Sequence, residues 1–309
     1  MLEIDRRLLE RFEAGLDTRR LGDSKVPGKI VGYGEISAIF RIRGDDRNVY
    51  KRLPVFGDFS GARQYAAMHT EYCRLMAQAG LRLPAYATRI ISIPGRPVVL
   101  YIAQRHLPAR RFCHRRIHDL NQADSLALIE EAAAEIAKIW RFNREAAPQM
   151  ELAIDGQLSN WVTAPAGGNA MQLSYIDTST PLMRKNKVEQ LDPELLLKSA
   201  PGFLRWIIRR LFLKDVMNRY YVPRLVYTDL AANLVKEQRP DLVAPTIAVV
   251  NRFLGKGEPS LTVREIENYY AADKLIWTVF LAFRRFDRWL TARLLKRRYE
   301  FILPGAIQR

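Results

Sequence analysis

Ile154-Asp155-Gly156-Gln157-Leu158-Ser159-Asn160, followed by Leu173-Ser174-Tyr175-Ile176-Asp177-Thr178-Ser179, is the stretch whose reading decides the fold. An aspartate with an asparagine five residues on, and a second aspartate beyond a short apolar segment, is a set of oxygen donors suited to phosphate chemistry. Transfer of a γ-phosphoryl group needs one carboxylate to orient the nucleophile and hard oxygen ligands to hold Mg²⁺ on the phosphates. Asp155 suits the first task, and Asn160 with Asp177 suits the second. Trp161-Val162-Thr163 reads as a strand, Gly167-Gly168-Asn169 as a turn, and residues 171–176 as a returning strand, so the hairpin would bring Asp177 back beside Asn160. The same residues also suit a solvated turn at Asp155-Gly156 and a helix N-cap at Asp177 ahead of Thr178-Ser179-Thr180-Pro181.

Upstream, Val31-Gly32-Tyr33-Gly34-Glu35-Ile36 sets glycines into a strand-like run, where Gly32 and Gly34 would let backbone N–H groups approach phosphate oxygens; a hairpin turn uses glycine as well. The strand Asn48-Val49-Tyr50-Lys51-Arg52-Leu53 carries Lys51 within reach of α- and β-phosphates. Twenty residues later Glu71 falls in a helical stretch over 62–79, bounded by Gly80, and could pair with Lys51. Ordinary surface charges account equally for either residue alone. Next come an apolar strand, Val98-Val99-Leu100-Tyr101-Ile102-Ala103, and a long helix over 125–142.

In this order the motifs resemble the protein-kinase-like superfamily, and more closely its small-molecule branch, the aminoglycoside and choline phosphotransferase-like kinases. The resemblance covers residues 28–180, roughly half of the chain. It implies a two-lobed α+β fold with a mostly antiparallel N-lobe sheet over residues 1–104 and a helical C-lobe over 105–309. It further implies that Lys51 contacts ATP phosphates, that Glu71 positions Lys51, that Asp155 is the catalytic base, and that Asn160 and Asp177 bind Mg²⁺; with Lys51, Gly32 and Gly34 complete the expected ATP-binding residues. The sequence departs from the pattern at Ala153, where a His usually stands two residues before the catalytic Asp, and at Thr178-Ser179, where protein kinases carry Phe-Gly. It also lacks an Ala-Pro-Glu signature downstream. Two expectations follow: Mg-ATP-dependent phosphorylation of a hydroxyl on a small molecule, or a pseudokinase whose basic surface docks an anionic partner.

Composition is compatible with both. The 309 residues, 48% hydrophobic, can bury a sizeable core. Cys73 and Cys113 form neither a disulfide framework nor a C-x-x-C site, and with a charge-rich start and no apolar run near ~20 residues a cytoplasmic protein is expected. The net charge of +16 favours anionic partners and gathers in residues 105–116, 205–214 and 284–298. The last cluster lies in a helical pattern over 272–299, where Ile276, Phe280, Phe283, Phe286 and Leu290 alternate with arginines. Such a stripe reads as the core-facing side of a globular helix or as a membrane-surface face. No zinc-finger, RNP-like or basic-zipper pattern points to nucleic acid.

A second aspartate–asparagine pair, Asp229 and Asn233 in Tyr227-Thr228-Asp229-Leu230-Ala231-Ala232-Asn233, has a spacing of four and reads as a helix start, with Thr228 or Asp229 as N-cap. The downstream run Ile247-Ala248-Val249-Val250 reads as a strand.

Overall fold

The computed structural model describes residues 2–33, 38–164, 171–198, 202, 205 and 217–303. The N-terminal half is a five-stranded antiparallel sheet, β1 (Gly28–Tyr33), β2 (Ala38–Ile42), β3 (Asp45–Phe56), β4 (Tyr86–Ile91) and β5 (Val98–Arg105), in the order β1-β2-β3-β5-β4. Period-two alternation decides what each face buries. Tyr50 on β3 and Val99, Tyr101 and Ala103 on β5 face helix α1 (Arg6–Ala14), together with Leu9 and Phe12. Leu53 and Val55 on β3, with Val98, Leu100 and Ile102 on β5, pack on the opposite side with Ala62 and Tyr65 of helix α2 (Phe59–Gln78). Lys51 pairs in register with Ile102 and shares the α2 face, so one alternation fixes both the core and the direction of the lysine.

Helix α2 starts at the N-cap Asp58, whose side chain accepts from the Gly61 N–H at 2.8 Å. Its inward seam is Tyr65, His69, Tyr72 and Met76, spaced four, three and four, as a buried helical stripe requires.

The C-terminal half is mostly helical. Helix α3 (Cys113–Asp119) precedes α4 (Gln122–Ala146), whose Leu128, Ile129, Ala132, Ile136 and Ile139 form the centre of a second core. Short strands follow: β6 (Met150–Leu152), the hairpin β7 (Trp161–Thr163) with β8 (Leu173–Tyr175), then β9 (Met183–Lys185) and β10 (Val188–Glu189). After α5 (Pro193–Leu197) come α6 (Pro223–Lys236), α7 (Val243–Asn251) and α8 (Val263–Trp289). Cys73 and Cys113 are both buried free thiols.

Several sequence expectations change here. Thr228 and Asp229 are not N-caps: α6 begins at Pro223, where a proline at the first position costs no hydrogen bond, so both lie buried in mid-helix. Residues 247–250 are helical in α7 rather than a strand, because apolar residues buried on several sides suit either period. The pattern expected over 272–299 is helical only to Trp289, with a π-turn at Leu290–Leu294. Beyond it the chain leaves the helical half and returns to the N-terminal sheet, where Ile302 joins the α1-side core and Thr18 Oγ1 donates to the Tyr299 carbonyl at 2.7 Å. The stripe expected on α8 is core-facing only in part: Phe280, Phe283 and Leu290 are half-buried, while Ile276 and Phe286 are exposed. The expected turn at 167–169 and most of the 205–214 basic cluster lie outside the described residues.

A buried ion cluster locks that return. The Arg52 guanidinium grips both carboxylate oxygens of Glu13, at 2.7 Å each, and donates to the Glu300 carboxylate at 2.9 Å. Burial raises the Glu13 carboxyl, but the hydrogen bonds and charge of Arg52 outweigh it and hold it below the ordinary carboxylate value.

Candidate active site

The Asp155 loop is clamped from three directions. The Ala153 N–H donates to the Leu182 carbonyl at 3.0 Å, and the Ile154 N–H to the Tyr220 carbonyl at 3.2 Å. Tyr72 of α2 donates through its hydroxyl to the Ala153 carbonyl at 2.9 Å, so a tyrosine from the N-terminal half anchors the chain two residues before Asp155. Ala153 itself is fully buried. Asp155 accepts from the Gln157 N–H at 3.1 Å, which shapes the turn from within.

Gly156 is required by proximity. A Cβ there would lie 2.7 Å from Val226 Cγ1 and 3.0 Å from Ile136 Cδ1, so the loop rests directly on α6 and α4. Asn233, on the same helix as Val226, accepts the Leu158 N–H at 3.0 Å in a buried position. Of the second aspartate–asparagine pair, Asn233 thus underpins the first loop, while Asp229 accepts from the Tyr269 hydroxyl of α8 at 3.0 Å. Burial pushes the Asp229 carboxyl up despite the opposing charge of Arg219.

Asn160 closes the loop by donating through its amide to the Asp155 carbonyl at 3.3 Å. The Asn160 carbonyl accepts the Ile176 N–H at 2.9 Å, and β7 pairs with β8 through Trp161 and Tyr175, so the hairpin returns Asp177 beside Asn160 as the spacing implied. Asp177 does not begin a helix. Its carboxylate receives the Lys51 ammonium at 2.6 Å and the Ser179 hydroxyl at 3.0 Å, and Lys51 also donates to Ser179 at 2.9 Å. Burial alone would raise the Asp177 carboxyl, but Lys51 and Ser179 hold it below the usual value.

The expected Lys51–Glu71 pair is not formed. Glu71 is one residue off the inward seam of α2 and bonds Arg74 at 2.9 and 3.0 Å. The α2 residues that reach the site are Tyr65, which donates to the Ser179 carbonyl at 2.7 Å, and His69, whose Nε2 lies 3.2 Å from the Thr178 hydroxyl. Burial, reinforced by the Lys51 charge, lowers the His69 pKa to about 4, leaving the ring neutral. Gln104 at the end of β5 donates to the Ile176 carbonyl at 2.9 Å. Sequence reasoning missed Tyr65, His69, Tyr72 and Gln104; the α2 seam alone was a signal for the first three.

Gly32 lies in β1 opposite Ile39, and a Cβ there would meet only ordinary contacts, so packing does not demand the glycine. Gly34 lies outside the described residues. A cavity of about 850 Å³ opens between α2 and residues 183–198, lined by Asp58, Tyr65, Met68, Glu71, Lys185 and Asp192, so Tyr65 borders both the cavity and the Ser179 end of the site. It shares no residue with the Lys51–Asp177 pair.

No curated protein matches this chain. Among solved structures it is similar to one described as "WaaP in complex with acyl carrier protein", at 15% identity over 74% of this chain and 90% of that one, with a TM-score of 0.33. A family model described as "Family of unknown function (DUF6206)" matches residues 28–288, and the chain belongs to that family.

Proposed function

We propose that this protein is a Mg-ATP-dependent phosphotransferase of two-lobed, protein-kinase-like architecture that phosphorylates a hydroxyl on a small molecule. The observation that carries the reading is the Lys51–Asp177 contact, which joins the N-terminal sheet to the hairpin that also holds Asn160. Bound Mg-ATP would supply the transferable phosphoryl group and the charge neutralisation that its transfer needs. The donor set fits that metal, since Asp177 offers a carboxylate and Asn160 an amide, both of which bring the hard oxygens Mg²⁺ prefers. In this reading Lys51 leaves Asp177 for the phosphate oxygens, and Asp155 orients the acceptor hydroxyl and takes its proton. The experiment is an ATP-consumption screen over hydroxylated small molecules with the wild type and Asp155→Ala. Transfer by the wild type that Asp155→Ala loses supports the reading, and an Asp155→Ala protein that transfers at the wild-type rate refutes it.

The same contact favours a second reading. A lysine seated on the metal-binding carboxylate, together with Ala153 in the histidine position, suits a pseudokinase scaffold in which the ion pair never opens. That protein would gain no magnesium-dependent stability from ATP.

A further inference from the structure

Helix α8 has two faces. Inward, Arg284 is buried with its guanidinium over the rings of Phe280 and Phe301. Outward, Leu275, Val279, Ala282, Phe286 and Trp289 recur at spacings of four, three, four and three, which at about 100° per residue places them along one line. The large members of that line are open to solvent: Leu275 is 64% exposed, Phe286 49% and Trp289 55%. The Phe286 and Trp289 rings stack on one another at 6.0 Å. The turn that follows continues the surface with Leu294 at 67% exposure and with Leu295, between exposed Arg293, Lys296 and Arg297. Contiguous exposed apolar surface of this kind marks an interaction site.

We infer that this flank of α8, with its following turn, docks on the surface of an anionic phospholipid bilayer. From Lys274 to Arg297 the chain carries seven cations, of which Arg284 is buried on the inward face, and one acid, Asp287, so six cations remain to border the apolar line with a positive field. That pairing of an apolar stripe with flanking Lys and Arg is the chemistry of helices that lie in the interface plane, with aromatic side chains at headgroup depth. The line is a convex ridge on a helix 27 residues long, and a bilayer, unlike a folded partner, needs no matching groove. A second copy is disfavoured because stacking two such ridges would bring like charges together. Among the described residues no helix is long and apolar enough to cross a membrane, so the ridge lies on the surface rather than spanning it. This inference does not rest on the phosphotransferase reading.

The test is flotation of the full-length protein with vesicles of phosphatidylcholine alone and of phosphatidylcholine mixed with phosphatidylglycerol. The wild type is expected to float with the mixed vesicles only. Phe286→Ser/Trp289→Ser should keep the wild-type circular dichroism and lose roughly tenfold or more in partitioning, because both apolar anchors are gone. If that variant fails to fold, Leu294→Ser/Leu295→Ser in the exposed turn carries the same expectation. Absence of wild-type binding to anionic vesicles overturns the inference, and so does undiminished binding by the folded serine variant, which would mean charge alone. A wild-type dimer that the serine variant converts to monomer would assign the ridge to a second copy and overturn it too.

Discussion

Nζ of Lys51 and Oδ1 of Asp177 lie 2.6 Å apart although 126 positions separate them in the chain. One comes from the middle of the N-terminal sheet and the other from the end of a hairpin in the helical half. The contact is both a structural tie between the halves and the centre of the proposed site, so its removal should register in stability and in ligand response.

Lys51→Met strands the Asp177 carboxylate beside Ser179. The expected cost is about 1.5–3 kcal/mol by urea unfolding, the range for hydrogen bonds to charged groups. The double variant Lys51→Met/Asp177→Leu should cost less than the sum of the two single changes, because neither partner is then left unpaired. Strict additivity in that cycle would mean the two side chains are not coupled.

Glu71→Ala serves as the control for the ion pair that does not form. Among the described residues Glu71 bonds Arg74, and an exposed pair of that kind contributes about 0–1 kcal/mol. Melting temperature and any ATP response should stay close to wild type. A loss of nucleotide response as large as that of Lys51→Met would place Glu71 in the site after all.

Gly156→Ala forces a methyl group against Val226 and Ile136, and overpacking of this kind costs about 1–3 kcal/mol. The loop that carries Asp155 must shift to make room, so phosphotransfer should fall further than stability does. Adding Val226→Ala removes the closest contact and should restore part of the activity. No rescue would mean that the glycine is needed for its backbone rather than for space.

Acidification should destabilise the fold between the His69 pKa of about 4 and the ordinary value of 6.5. In that window the unfolded chain binds a proton that folded His69 refuses, so stability falls with pH by about 1.4 kcal/mol per unit from this residue. His114, also lowered to about 4 by burial and by the nearby Arg115, acts in the same direction and window. The Asp177 carboxylate contributes in a separate window, its stabilisation being lost only as pH falls below the ordinary aspartate value of 3.8. His69→Gln should flatten the slope between pH 4 and 6.5 without abolishing it, measured by urea melts across that range. An unchanged slope would show that His69 titrates normally.

The Glu13–Arg52–Glu300 cluster should behave as a clasp. Glu13→Ala leaves a buried guanidinium short of a partner, a loss of about 3–5 kcal/mol for a buried pair. Glu300→Ala should cost less, since Arg52 keeps both Glu13 bonds. Equal effects from the two changes would mean that the tail and α1 unfold as one unit.

The parts of this protein legible in its sequence are those whose cue is local. Alternation in β3 and β5, the helical period of α2 and α4, and the five-residue step from Asp155 to Asn160 each appear in a short window. What stayed hidden depends on phase or on distant chain. Glu71 and His69 are two residues apart, yet 200° of helical rotation decides that the histidine faces Thr178 and the glutamate faces Arg74. Asn233 resembled part of a second loop of the same type, and only tertiary packing places it under Leu158. The stripe on α8 has the period of a core face, and nothing within its own residues says which side the rest of the protein covers.

The most direct test is a thermal-shift titration with ATP, with and without Mg²⁺, on the wild type and on Asp177→Ala, scored as the ligand-induced increment for each protein. The phosphotransferase account predicts a stabilisation of the wild type that requires magnesium and that Asp177→Ala lacks. A wild type indifferent to Mg-ATP, or an Asp177→Ala protein with the same magnesium-dependent increment, would contradict it.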